Sequence, residues 1–372
     1  MLEQRVAQTI EKTAVFLLKN QALEGSWSDY LPGFSSTGWM SGYVGRALLE
    51  ARRIGITTPE MTEQLQRTFG WLLAIQNHDG GWSWNPRVVT DTDSTANCLL
   101  FLLKWGDETP QAVIDAGVAA LLQHQYSADG GIHTYTRANI ETALARYTPY
   151  FPRLPLMFYV GWMCATNSVS GVTMTTLRQA GLALANPALQ KLHQYILANQ
   201  DAAGYWPAYW WSGPLFSTFH CVEALAHWDE WAAMKRATAW VRRTQNEDGG
   251  WDDGVVLRST PFSTALALHT LMVAGEWGTE PVANGINWLL DHQLADGSWE
   301  VIPNQQVPHI FQIRPWESPR EQFGTGIFPD INHFFTAATV LMALVKFYEE
   351  GMFFEDDVVN GRIQTLVEGN VP

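Results

Sequence analysis

Six times along this chain a glutamine is followed, a few residues later, by a glycine and then usually an aromatic. The copies run Gln21, Gly25, Trp27; Gln76, Gly80, Trp82; Gln125, Gly130, Ile132; Gln200, Gly204, Trp206; Gln245, Gly249, Trp251; and Gln293, Gly297, Trp299. A repeat constrains architecture before any local signal does, because each unit buries its apolar face only against its neighbours. Every copy closes a stretch with helical apolar spacing, such as Phe69, Leu72 and Leu73 before Gln76. The glycine supplies the positive φ at a helix C-terminus that a side chain resists. The glutamine amide and the indole N–H are a donor and acceptor set suited to tying one turn to the next.

After each turn comes a loop and then a second helical stretch that opens on a small hydroxyl pair. The pairs are Ser36-Thr37, Ser94-Thr95, Ser217-Thr218 and Ser263-Thr264, with Thr336 in the last unit and Glu141-Thr142 in the third. Ser and Thr at a helix start cap free backbone N–H groups, so these positions read as N-termini. The helices that end at glutamine carry charge on one face, as Lys235, Arg236, Arg242 and Arg243 do before Gln245. The stretches after Ser94 and Ser263 are apolar almost all round, and such a helix is buried. Six alternating pairs predict an all-α protein, an (α/α)6 toroid with an inner helix ring inside an outer one. The expected layout is one toroid domain over 1–350 and a C-terminal tail over 351–372.

A net charge of −14 argues against nucleic acid as a partner, since phosphate binding needs clustered Lys and Arg. Cys98, Cys164 and Cys221 are too few and too irregular for a disulfide framework. The first residues carry Glu3, Arg5, Glu11 and Lys12 among apolar ones, which reads as an amphipathic helix and not a signal peptide. The longest apolar run, from Phe334 to Val345, falls short of the roughly 18 residues of a membrane span. A cytoplasmic location follows as the expectation, with peripheral membrane contact and homo-oligomer formation left open.

The period breaks twice. Pro149, Pro152 and Pro155 interrupt the third unit, and a long stretch between Trp299 and Asn332 holds Pro303, Pro308, Pro315, Pro319 and Pro329. Loops this long inside a compact domain are usually functional. The stretch from Val301 to Ile331 is expected to cover or border the central cavity, with Arg314 and Arg320 as cations for a polar or anionic substrate head.

With the units aligned on the hydroxyl pair, the residue before it is Ser35, Asp93, Phe216 and Phe262, with Phe334 equivalent in the sixth. Asp93 is the exception. A carboxyl at the apolar mouth of a toroid is desolvated, which raises its pKa and keeps it protonated. A protonated acid in a dry aromatic cavity is a proton donor. Asp91 is close enough to share a proton with it or tune it. The plain alternative is that both aspartates only cap the helix at Ser94.

The Gln…Gly-x-Trp repeats are similar to the QW motifs of squalene-hopene and oxidosqualene cyclases, and the paired helices resemble the toroid of protein prenyltransferase β subunits. The run from Asp91 to Ala96 resembles the Asp-x-Asp-Asp-Thr-Ala motif of class II terpene cyclases, whose middle aspartate is the general acid. That resemblance implies the acid role for Asp93 and a supporting role for Asp91. Ser94 stands where the family motif has its last aspartate, so one carboxylate is missing. The familiar class II cyclases build their cavity between two such domains and this chain has one. Either the substrate fits one ring, or a partner chain or the Pro-rich loop completes the cavity. No Asp-x-Cys of the prenyltransferase zinc set occurs, so no metal is expected, with Mg²⁺ relevant only for a diphosphate substrate.

Protonating an alkene makes a carbocation that water quenches, and aromatic faces exclude water while stabilising positive charge. The candidates are Trp39, Tyr43, Phe216, Phe219, Phe262 and Phe334 on the inner helices, with Tyr209, Trp210 and Trp211 before the fourth, and His220 beside Cys221. The leading expectation is protonation-initiated cyclisation of a polyprenyl substrate, isoprenoid or meroterpenoid, without a cofactor. The alternatives are a polysaccharide lyase or glycosidase, for which Glu141 and Glu223 are the candidate second carboxylates, and a non-catalytic lipid-binding toroid.

Overall fold

The computed structural model describes residues 2–30, 35–126, 128–146, 151–254, 256–317 and 326–359, with side chains to residue 350. Six helices form an inner ring: α2 (Gly38–Arg53), α4 (Thr92–Trp105), α7 (Asn167–Gln179), α9 (Leu215–Leu225), α11 (Pro261–Val273) and α13 (Phe334–Val359). Each packs on the next and α13 packs back on α2, which closes the ring. The outer ring is α1 (Leu2–Lys19), α3 (Met61–Ala74), α5 (Gln111–Gln123), α8 (Pro187–Ala198), α10 (Trp231–Arg243) and α12 (Glu280–Asp291). A short α6 (Arg137–Ala145) stands outside both. Burial follows the amphipathic pattern. α10 buries Ala233, Met234, Ala237, Thr238 and Val241 as one stripe, whereas α11 buries every residue from Pro261 to Met272.

The six turns weld the rings. Each glutamine Nε2 donates to the carbonyl of its own turn glycine and to a carbonyl of the next outer helix. Gln76 reaches Gly80 (2.8 Å) and Val113 (3.1 Å), and Gln245 reaches Gly249 (2.8 Å) and Pro281 (2.9 Å). The sixth copy closes the circle: Gln293 donates to Thr9 of α1 at 3.0 Å. The tryptophan Nε1 donates back to the helix just ended, as Trp82 does to Leu72 O (2.8 Å) and Trp251 to Val241 O (2.7 Å). Gly25 has φ +101°, and a Cβ there would stand 2.4 Å from the Arg67 carbonyl carbon, so both backbone geometry and the next helix require glycine.

The hydroxyl pairs work differently from a simple cap. The N-cap of α4 is Asp91 and that of α11 is Thr260, whose side chains accept from the backbone N–H of Ser94 and Ser263. In five units the fourth helical residue accepts the turn's backbone N–H instead, while the sixth has Ala337 at that position. Trp27 N donates to Ser41 Oγ (2.9 Å), Trp82 N to Thr95 Oγ1 (2.9 Å), Ile132 N to Ser170 Oγ (2.9 Å) and Trp251 N to Thr264 Oγ1 (3.0 Å). This bond sets the true register of the units. In the first unit the helix starts at Gly38, after Ser36-Thr37, and in the sixth it starts at Phe334. The second residue of each inner helix is therefore Trp39, Asp93, Ser168, Phe216, Phe262 and Phe335, which replaces Ser35 and Phe334 in the sequence alignment.

The third inner helix is also not where the hydroxyl pattern put it. Glu141-Thr142 belong to α6, and the ring position is filled by α7, built from Ser, Thr, Val and Gly. Small residues let it approach its neighbour: a Cβ on Gly171 would lie 2.7 Å from the His220 backbone. The stretch after Trp299 forms a ribbon, β1 (Pro303–Val307) antiparallel to β2 (Gly326–Pro329). It is pinned to the segment before α9, with Gln306 N donating to Trp210 O (2.8 Å) and Ser212 N to Asn304 O (2.9 Å). α13 runs through the boundary expected at residue 350. Among the described residues, no helix is long and apolar enough to cross a membrane.

Candidate active site

A cavity of about 590 Å³ opens at the rim where the inner helices begin. Trp39 and Trp211 form its base, and Trp84, Tyr135, Phe151, Trp162 and Trp210 form a wall. Gln305 to Phe311 and Phe328 border it from the Pro-rich stretch. Arg314 does not reach it. That residue is exposed and paired with Glu317 at 2.9 Å. Arg320 lies outside the described residues.

Asp91 and Asp93 are only two residues apart, yet the helix start gives them different surroundings. Asp91 is the cap, and three donors hold its oxygens: Ser94 N (2.8 Å), Ser94 Oγ (2.8 Å) and Trp84 N (2.7 Å). Burial still pushes its pKa up to about 6, against the pull of those donors. Asp93, in the first turn, faces the cavity. The hydrogen bond to its carboxyl is a long one from Asn97 Nδ2 at 3.4 Å. Burial, and then the Asp91 carboxylate, push its pKa up to about 8. Asp93 therefore carries its proton at neutral pH while Asp91 is ionised. No direct bond joins the two, so Asp91 acts on Asp93 through its charge. Ser94 serves as a double donor to Asp91.

The other sequence candidates divide by depth. Trp39 and Trp210 line the cavity with Asp91, Asp93 and Ser94. Tyr43, Phe216 and Phe262 lie beneath its base, packed with Trp39 and Trp211 around the ring of Phe335. Phe334 points outward onto Phe16 (6.1 Å), since the register places Phe335 inward. Phe219 packs between His220 and His269, at 4.8 Å from each ring. His220 lies one turn below Phe216, 3.7 Å from Glu223 Oε2, and makes no bond to the acid. Residues missed from sequence are Tyr30, Trp84, Tyr135, Phe151 and Trp162. Trp84 follows its turn tryptophan by two positions, and its Nε1 donates to Tyr135 Oη at 3.0 Å. The residues just past each turn were the signal available.

No second carboxylate faces Asp93 across the cavity among the described residues. Glu141 is exposed and paired with Arg137 (2.8 Å), and Glu223 is half-buried and paired with Arg46 (3.1 Å). The arrangement for glycoside hydrolysis is missing on both counts. No group of three or more metal-ligating side chains occurs among the described residues either.

The site is thus an aspartate at the start of an inner helix, facing an aromatic cavity inside a closed helical toroid. The model of the squalene-hopene cyclase C-terminal domain matches residues 87–325, and the chain belongs to that family. It is 31% identical over 167 residues to the squalene–hopene cyclase of Zymomonas mobilis, covering 40% of this chain and 25% of that protein. With the squalene–hopene cyclase of Bradyrhizobium diazoefficiens it shares 26% identity over 312 residues, 74% of this chain and 46% of that one. The chain thus spans less than half the length of these curated relatives. A variant of the type II terpene cyclase MstE from Scytonema, solved with geranylgeranyl dihydroxybenzoate, superposes with a TM-score of 0.80 at 25% identity, over 94% of this chain and 99% of that one.

Proposed function

We propose that the chain is a class II-type terpene cyclase that protonates and cyclises a polyprenyl substrate within a single ring. The observation that carries the reading is Asp93, a carboxyl with pKa near 8 facing an aromatic cavity. Its proton goes to a terminal alkene or epoxide of the folded chain. Asp93 is left as a carboxylate, a cation forms on the substrate, and ring closure moves that charge along the chain until a proton is lost. The raised pKa keeps the acid loaded but makes it weaker. The faces of Trp39, Trp84, Trp162, Trp210 and Trp211 compensate, at roughly 0.5–2 kcal/mol per ring for a desolvated cation. The proton donor is a side chain, so this chemistry requires no cofactor. The ligand of the Scytonema neighbour supports a polyprenyl chain of that size, with an aromatic head, as substrate class.

The direct test is incubation with geranylgeranyl-bearing substrates in D₂O. Cyclic product carrying deuterium at the initiating carbon is expected, and its absence across farnesyl and geranylgeranyl substrates overturns the reading. The pH profile carries a further expectation. Because the acid must hold its proton, kcat/KM should fall as pH rises through about 8. Asp91→Asn removes the charge that disfavours ionised Asp93, so the falling limb should move to lower pH. A limb that stays put would show that Asp91 does not tune the acid.

Delivery of so apolar a substrate is also addressed by the surface. Met157, Phe158, Val160, Ile313 and Trp316 are exposed beside Leu154 and Phe311, which line the cavity. The two segments are tied by Gly161 N to Ile310 O (2.7 Å) and Trp162 Nε1 to Pro308 O (3.0 Å). An exposed apolar patch continuous with a cavity mouth suits a lipid bilayer surface. The double variant Met157→Glu with Trp316→Glu should lose co-sedimentation with phosphatidylcholine vesicles and keep turnover of detergent-dispersed substrate. Equal vesicle binding by variant and wild type would remove this surface from consideration.

A further inference from the structure

The bore of the ring changes character below the cavity. Its top layer, the second residue of each inner helix, is aromatic at four of six places, and Phe335 is the hub. The Phe335 ring lies 4.8 Å from Trp39, 4.8 Å from Trp211, 5.0 Å from Phe262 and 6.0 Å from Phe216. Four residues further along each helix stand Tyr43, Asn97, Val172, His220, Leu266 and Thr339; seven further stand Arg46, Leu100, Thr175, Glu223, His269 and Met342. At 1.5 Å per residue that third layer is about 10 Å below the first. It is polar on four of the six helices.

Much of the polarity in these two lower layers is not satisfied by protein. Arg46 Nε, Asn97 Oδ1, Thr175 Oγ1, both ring nitrogens of His220, Glu223 Oε2 and His269 Nε2 are buried without a hydrogen bond. Arg46 and Glu223 satisfy each other once, at 3.1 Å. The Arg46 guanidinium holds Glu223 down at about 2 despite burial, and burial keeps His269 neutral, at about 3. A charged pair and two neutral imidazoles with this many open donors and acceptors are expensive when dry. Water is the small ligand that meets both kinds of group, and it needs a polar site with several partners. The layer is also not closely packed throughout: the Glu223 side chain keeps 19% of its surface accessible, whereas Phe335 is 0% exposed.

We propose that the lower bore is a hydrated chamber centred on Arg46, His220, Glu223 and His269, and that Phe335 is the plug keeping its water out of the cyclisation cavity. The consequence rests on the cyclase reading above. With the plug in place, the substrate cation ends by losing a proton. With the plug gone, a chamber water forms a C–O bond to the cation and then loses a proton, so the product is an alcohol formed by net addition of one water.

The experiment compares wild type, Phe335→Ala and Phe335→Leu with a geranylgeranyl-bearing substrate in H₂¹⁸O. The alanine variant should raise the ¹⁸O-labelled share of cyclised product at least tenfold, and leucine, which keeps most of the plug, should stay near wild type. Adding Arg46→Met and Glu223→Leu to Phe335→Ala dries the chamber and should cut that share at least threefold. Unlabelled product from Phe335→Ala, or labelling that ignores the added pair, overturns the proposal, the latter by tracing the water to the cavity mouth. A high-resolution crystal structure of the wild type gives a readout independent of folding of the variants and of turnover. Ordered waters on His220, Glu223 and His269 are expected there, and a dry bore refutes the chamber. Absence of any cyclised product from wild type instead counts against the cyclase reading, leaving the chamber to the crystallographic result.

Discussion

Asp93→Asn is expected to lower turnover by about 10²–10⁴-fold, the range by which a positioned general acid accelerates reactions. The amide keeps the shape of the side chain and its contact with Asn97, but it has no proton to transfer. Folding and retention of the lipid substrate should persist, because Asp91, not Asp93, caps α4. The stability of the two proteins should also diverge with pH. Between the ordinary carboxyl value of 3.8 and about 8, the folded wild type holds a proton on Asp93 that the unfolded chain has released. Stability from this group is full below that window and is lost as pH rises through it. The asparagine variant lacks the slope, so its melting temperature relative to wild type should climb between pH 4 and 8. An active variant would leave Asp93 as no more than a polar residue in the cavity wall.

The second large effect concerns the ring. Trp251 is 1% exposed, and its indole N–H donates to Val241 O. Trp251→Ala should destabilise the protein by about 3–5 kcal/mol, as deletion of a buried aromatic does. Trp251→Phe retains most of the packing and loses the donor, and the Val241 carbonyl still accepts from Thr244, so it should cost about 0.5–1.5 kcal/mol, the net worth of one hydrogen bond. Denaturant midpoints for the pair separate the two contributions. Equal losses would mean that the hydrogen bond, not the ring, holds the turn.

The repeat made the toroid legible because its glutamine, glycine and tryptophan each do one physical job, and the bonds of Gln76, Gln245 and Gln293 repeat that job around the circle. Asp93 stood out for a related reason, as a carboxyl in a slot that is otherwise aromatic or a small hydroxyl. The hydroxyl pattern misplaced the third inner helix at Glu141-Thr142, since α7 is buried through Ser, Thr, Val and Gly all along its length and has no single pair that marks its start. The hydroxyl alignment slipped in the first and sixth units because Ser41 and Ala337, and not Thr37 and Thr336, occupy the fourth helical position. The wall residues Trp84, Tyr135 and Trp162 come from loops, and loop geometry has no period to read. The pairing of Arg46 with Glu223 joins residues 177 positions apart, which no local pattern announces.

Closure by Gln293 onto Thr9 makes the unit count non-negotiable. An open stack of helical hairpins can add or lose a member at its end and keep every remaining interface. In a circle with six seats, a seventh would have to alter every angle between neighbours, and a fifth would collapse the centre. Room for a larger or smaller guest must therefore come from within, by exchanging side chains such as Trp39, Trp211 or Phe335, while the frame around them keeps its dimensions.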